Sequence, residues 1–100
     1  MKMDKLATAL RRINKLYGLD MTDLIILDDI AQKMKHKKAV TIMEIVEASE
    51  AASPATVHAR IKRMCENKFL QKILHDSNLR LRELDFGPTY HKMVEEVGQV

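Results

Sequence analysis

The sequence predicts a mainly helical domain carrying one small β-hairpin, and three observations predict it. Apolar residues recur every three or four positions in five separate stretches, the spacing that places them on one side of an α-helix. Two short runs rich in Leu, Ile and Phe, Phe69–His75 and Leu79–Leu84, flank the turn formers Asp76-Ser77-Asn78, which reads as a hairpin. Immediately before that hairpin lies a helix whose outer face holds cations, hydroxyls and small residues. A cationic helix followed at once by a cationic hairpin is the layout of a winged helix-turn-helix, with the hairpin as the wing.

The totals fit one such domain. One hundred residues suffice for a single modest core, and 46% apolar residues suffice to fill it. Aromatics are only 4% and Trp is absent, so the core must be aliphatic, with seven Met beside Leu, Ile and Val. The net charge of +3 says less than its distribution. Residues 1–18 carry +4, 19–51 carry −3, 52–82 carry +5 and 83–100 carry −3. Positive charge therefore gathers on the helix–hairpin unit and the first helix, as a one-sided electrostatic footprint requires.

In chain order, Met1 to Tyr17 is the first predicted helix. Leu6, Leu10, Ile13 and Leu16 or Tyr17 lie on one side, Lys2, Lys5, Arg11, Arg12 and Lys15 on the other, and Gly18 ends it. Such a lone helix packs either on its own domain or against a second copy as a dimer arm. The division expected is residues 1–18 as this helix and 19–100 as the winged domain with its short C-terminal helix. Thr22 is the expected cap of a second helix, Asp23 to about Met34, with Leu24, Leu27, Ile30, Ala31 and Met34 inward. The basic run Lys35-His36-Lys37-Lys38 after it reads as a solvated helix end or a phosphate contact.

Thr41-Ile42-Met43-Glu44 is a capping box opening a third helix through about Ser49, with Ile42, Ile45 and Val46 inward. Val40 before it is placed to add a third edge strand to the hairpin. After the turn Glu50-Ala51-Ala52, Ser53 caps a fourth helix and Pro54 occupies its first position, where a missing N–H costs nothing. Val57, Ile61 and Met64 face the core. Outward stand Ser53, Ala55, Thr56, His58, Ala59, Lys62 and Arg63, with Arg60 on the flank and no carboxylate before Glu66. Asn67 is expected to take the left-handed conformation that ends this helix. Lys72, Arg80 and Arg82 stud the hairpin. Asp85 is the expected cap of a last helix, with Tyr90, Met93, Val94 and Val97 inward and Glu95 and Glu96 outside.

These residues resemble the MarR (multiple antibiotic resistance regulator) family of winged-helix transcription factors over roughly residues 21–90. Met21-Thr22 with Leu24, Leu27 and Ile30 resembles the L-T-x-x-x-x-x-L-x-x-I opening of that family's second helix. Thr41 to Ile45 resembles T-x-x-E-L/I, and Ala55 to Leu70 aligns without gaps on S-T-V-T-R-x-x-x-R-L-E-x-x-G-L-V. The resemblance implies that Thr56, His58 and Ala59 hold base-facing positions and that Arg80 or Arg82 enters the minor groove. It also implies dimerisation and a small-molecule pocket between the first helix and the wing domain. Ala59 stands where the family has Arg, leaving that work to Arg60, Lys62 or Arg63. Lys68 stands where the family has Gly, and Asp76-Ser77-Asn78 where it has Asp-x-Arg. The C-terminal half of the family's dimerisation region is expected to be largely missing, since the sequence runs only about a dozen residues into the last helix.

Catalytic chemistry is not expected. His36, His58, His75 and His91 lie on different elements, Cys65 is the only cysteine, and three Gly form no phosphate-binding loop. No cofactor or metal is implied. A single thiol makes no internal disulfide, and no apolar run approaches eighteen residues, so a cytoplasmic protein is expected. Cys65, beside the buried Met64, reads as an inert thiol rather than a redox switch. The function these residues point to is sequence-specific binding of double-stranded DNA by a small transcriptional regulator, of the repressing rather than the activating kind. The assigned contacts are Ser53, Ala55, Thr56, His58, Ala59, Arg60, Lys62, Arg63, Lys72, Arg80 and Arg82, with a homodimer through the first helix. The other reading is a winged-helix module whose basic face binds an acidic protein partner.

Overall fold

The computed structural model describes residues 3–37, 40–75 and 78–98, with the side chains of residues 3, 74–82 and 98 outside that description. Among the described residues five helices and three strands follow in the order α1 (Met3–Tyr17), α2 (Met21–Met34), β1 (Val40–Thr41), α3 (Ile42–Ala48), α4 (Pro54–Glu66), β2 (Leu70–His75), β3 (Asn78–Phe86) and α5 (Pro88–Gly98). The sheet is antiparallel with order β1-β3-β2. Val40 thus joins the hairpin as its third strand, opposite Leu84 on β3, while Leu84 also faces Lys72 on β2. This is a winged helix-turn-helix with a three-stranded wing.

The core is aliphatic. Ile26, Leu27 and Ile30 from α2, Ile42, Ile45 and Val46 from α3, and Val57, Ile61 and Met64 from α4 are buried together with Val40, Phe69, Leu70, Leu84 and Met93. The inward positions read for α3 and α4 are these ones. On α2 the pattern is shifted: Ile26 is fully buried while Leu24 and Met34 are only partly so. The run Leu24-Ile25-Ile26-Leu27 is apolar on every side, so periodicity alone could not rank its members.

Three helix ends differ from expectation, each for a local reason. The cap of α2 is Asp20, not Thr22: the Asp20 carboxylate accepts from the Asp23 N–H at 3.0 Å, and the Asp23 carboxylate accepts from the Asp20 N–H at 3.1 Å. A carboxylate at each end of the box satisfies two otherwise orphan donors and faces the positive end of the helix dipole, which a Thr cap two residues later could not do as well. At the end of α4 the left-handed residue is Lys68 (φ 65°), whereas Asn67 has φ −92°. Phe69 N–H donates to Met64 O and Lys68 N–H to Cys65 O, the Schellman pattern that requires positive φ one residue beyond the cap. Asp85, finally, lies within β3, paired opposite Gln71, and does not cap α5. The ladder runs on to Phe86, which pairs with Leu70 and stacks on Tyr90 with ring centroids 3.8 Å apart, and α5 begins at Pro88.

α1 packs on α5. Ile13 is buried, Tyr17 meets Phe69 edge-on at 6.2 Å, and the Tyr17 hydroxyl bonds the Glu96 carboxylate. Gly18, at φ 68°, turns the chain into α2.

Candidate nucleic-acid interface

α4 is fixed on the domain by its inner stripe and by charge. Val57, Ile61 and Met64 lie against the core, and Ser53 caps the helix start through a hydrogen bond from the Thr56 N–H at 3.3 Å. The Ser53 hydroxyl in turn donates to Thr56 Oγ1 at 3.0 Å, which leaves the Thr56 hydroxyl its own proton for an outside acceptor. Opposite the core, Ser53, Ala55, His58, Ala59 and Lys62 are exposed and Thr56 is partly so. The outer face is therefore shallow around two Ala side chains and polar at its rims.

One flank of this face meets α2, and there the arginines have partners within the chain. Arg60 Nη1 donates to Asp20 Oδ2 at 2.7 Å and to Asp23 Oδ1 at 3.2 Å, and Arg63 Nη2 donates to Asp23 Oδ2 at 2.9 Å. Arg60 thus lies between two carboxylates on the flank of the outer face. Arg63 stands halfway, with 48% of its side chain still in solvent. The Arg60 guanidinium and, after it, the Asp23 N–H hold the Asp20 carboxyl below its ordinary pKa.

The other flank meets the wing. His58, Lys62 and Lys72 line, with Ile42 and Ile61, a cavity of about 200 Å³ between α4 and β2. A wider groove of about 620 Å³ continues past Lys62 and Lys72 to Cys65, Lys68, Gln71 and Pro88, with the acid Glu66 also on its wall. Two of the predicted helix residues, His58 and Lys62, and the predicted wing residue Lys72 are thereby brought to one edge. Arg80 and Arg82 lie on β3, and their side chains fall outside the described residues. Lys68 was not foreseen here, because its place at a helix end suggested only a turn.

Two other basic or reactive groups have simpler accounts. Lys37 pairs with Glu44 at 2.8 Å, which joins the basic run after α2 to the capping box of α3 and depresses the Glu44 carboxyl. Lys38 lies outside the described residues. Cys65 is half-buried, and burial pushes its thiol up, away from the reactive thiolate. Among the described residues no three His, Cys, Asp or Glu side chains converge as a metal site. No helix among them is long and apolar enough to cross a membrane.

No protein-family model matches the sequence, and no curated protein matches it significantly. Solved structures, by contrast, match it closely in shape. A Staphylococcus aureus MepR variant bound to an oligodeoxyribonucleotide superposes with a TM-score of 0.72 at 14% identity, covering 96% of this chain and 67% of that one. Wild-type MarR from E. coli in its apo form gives 0.65 at 10% identity over 96% and 67%. A transcriptional regulator from Thermotoga maritima gives 0.65 at 16% identity over 96% and 66%. The chain thus spans about two thirds of the length of these structures. At such identities the shared property is the fold, a MarR-like winged helix.

Proposed function

We propose that this chain binds double-stranded DNA in a sequence-specific manner and acts as a small transcriptional regulator. The observation that carries the reading is the edge where His58 and Lys62 on α4 and Lys72 on β2 line one cavity beside an outer face of small residues. Small residues let a helix approach the floor of the major groove, which is about 12 Å wide, while longer ones reach base edges or phosphates. Thr56, His58 and Ala59 are assigned to base edges, Ser53 and Ala55 to close approach at the helix start, and Lys62, Arg63, Lys72, Arg80 and Arg82 to phosphate or guanine. Arg60 contributes through the carboxylates it binds. Bound in this way the protein represses by occupying the duplex, which needs no further contact. Structures with this fold support the reading, since one holds a bound oligodeoxyribonucleotide and another is a transcriptional regulator.

The experiment is selection from a random duplex pool at physiological salt, with the wild type and with His58→Ala/Lys62→Ala/Lys72→Ala in parallel. The wild type should enrich one motif and the variant should lose it. With about six phosphate contacts, affinity should also fall about a thousandfold between 50 and 200 mM salt. No enrichment from the wild type sinks the regulator reading and favours an acidic protein surface as the partner of the basic face.

A further inference from the structure

We infer that Asp23 is a specificity-determining, positioning residue of this interface, acting through Arg63; the inference rests on the DNA-binding reading above. Asp23 is the only buried charged side chain among the described residues. Its Oδ1 accepts from Arg60, and its Oδ2 accepts from Arg63 and from the Asp20 N–H. A carboxylate without access to water is stable only while such donors stay in place, so the two guanidiniums are ordered.

The two arginines share the carboxylate unequally. Arg60 is also held by Asp20 and is mostly covered. Arg63 gives Asp23 one nitrogen and keeps about half of its side chain in solvent. A guanidinium has five N–H donors in a fixed plane, so the donors Asp23 does not use point outward along a set direction. Arg63 therefore meets an acceptor with its rotamer freedom already removed, a saving of roughly two- to tenfold in affinity for one such side chain.

Charge makes the effect one of specificity. Asp20, Asp23, Arg60 and Arg63 sum to zero, so the cluster supplies a directed donor without adding to the long-range attraction for any polyanion. Binding to arbitrary duplex follows cation number, while binding to a preferred duplex follows fixed contacts. Replacing the Asp23 carboxylate by an amide of the same shape should move the two in opposite directions.

The test measures affinities of the folded, full chain for the duplex that the wild type selects and for a scrambled duplex of equal length, at one salt concentration. Asp23→Asn should lower the selected-to-scrambled ratio by about tenfold, as should Arg63→Ala, and the double variant should be no worse than Arg63→Ala alone. A ratio unchanged in Asp23→Asn, or effects of the two substitutions that multiply, would overturn the inference. Arg63→Lys serves if Asp23→Asn does not fold: it keeps the charge and loses the planar fork, so scrambled affinity should persist while selected affinity drops. Wild-type-like affinity of Arg63→Lys for both duplexes would count against the inference equally. A wild type that prefers no duplex overturns the DNA-binding reading itself and this inference with it, an outcome distinct from the others.

Discussion

The carbonyl oxygen of Lys68 lies 2.2 Å from where a Cβ on Gly87 would stand, with the Lys68 carbonyl carbon 2.9 Å from the same point. The two residues lock the start of β2 to the start of α5, since Thr89 N–H donates to that Lys68 oxygen at 3.1 Å and Gly87 N–H donates to Phe69 O at 2.9 Å. Both obstacles to a Cβ are backbone atoms that cannot rotate away. Gly87→Ala should therefore cost about 1–3 kcal/mol, read as a lower urea midpoint with an unchanged slope. A midpoint equal to the wild type would show that the two segments can separate freely.

Lys68 itself is a place where the fold accepts strain. It holds φ 65° at the end of α4, a conformation that costs a residue with a Cβ roughly 1–2 kcal/mol. Lys68→Gly removes that cost and keeps both Schellman hydrogen bonds, although Gly also gains freedom in the unfolded chain. The net gain should be about 0.5–1 kcal/mol, raising the melting temperature by several degrees for a domain of this size. Unchanged or lower stability would show that the Lys side chain contributes more over the groove it lines than the strain takes away.

Acid should loosen the contact between α2 and α4. The Asp20 carboxyl is depressed by the Arg60 guanidinium first and the Asp23 N–H second. A carboxyl whose pKa is lower folded than unfolded contributes stability that is present above its unfolded value, about 4, and is lost as pH falls through its folded value. Denaturant midpoints taken from pH 5 downward should thus fall more steeply in the wild type than in Asp20→Asn. Glu44, depressed chiefly by Lys37, adds a parallel slope that Asp20→Asn leaves in place. Identical slopes in the two proteins would mean that Asp20 gains nothing from Arg60 in solution.

What the sequence made legible and what it hid divide along the range of the interactions. Ser53-Pro54 announces the start of α4, Thr41 with Glu44 announces α3, and Val57, Ile61 and Met64 mark the buried side, because each signal is completed within one or two helical turns. The partners of Arg60 and Arg63 lie 37 to 40 residues away at the start of α2, and nothing local distinguishes a cation that reaches DNA from one that reaches a carboxylate of its own chain. The signal that could have found them was Asp20 and Asp23 together, two carboxylates at a helix start that keep lone pairs for cations after the box has used one oxygen of each. Lys68 was hidden for the opposite reason. Asn67 has the better intrinsic left-handed propensity, but the hydrogen bonds from Lys68 N–H to Cys65 O and from Phe69 N–H to Met64 O place the turn one residue later, just ahead of β2.

α1 leaves an apolar surface that a second copy would cover. Leu6 and Leu16 are 41% and 60% exposed on α1, and Val94 is 47% exposed on α5. Ile13 on α1 and Met93, Val94 and Val97 on α5 line an almost wholly apolar groove of about 250 Å³. The first helix is accordingly proposed as a dimer arm. Across a two-fold axis each side chain counts twice, so losing Leu16, of which 60% is left to cover, removes about 3 kcal/mol of burial, roughly a hundredfold in dissociation constant. Sedimentation should show a dimer for the wild type and a monomer for Leu16→Ser at the same micromolar concentration. The selected DNA motif should then be a near-palindrome with half-sites about 10 bp apart or a multiple of that. A wild type that sediments as a monomer at tens of micromolar, together with an asymmetric motif, would return α1 to a purely intramolecular role against α5.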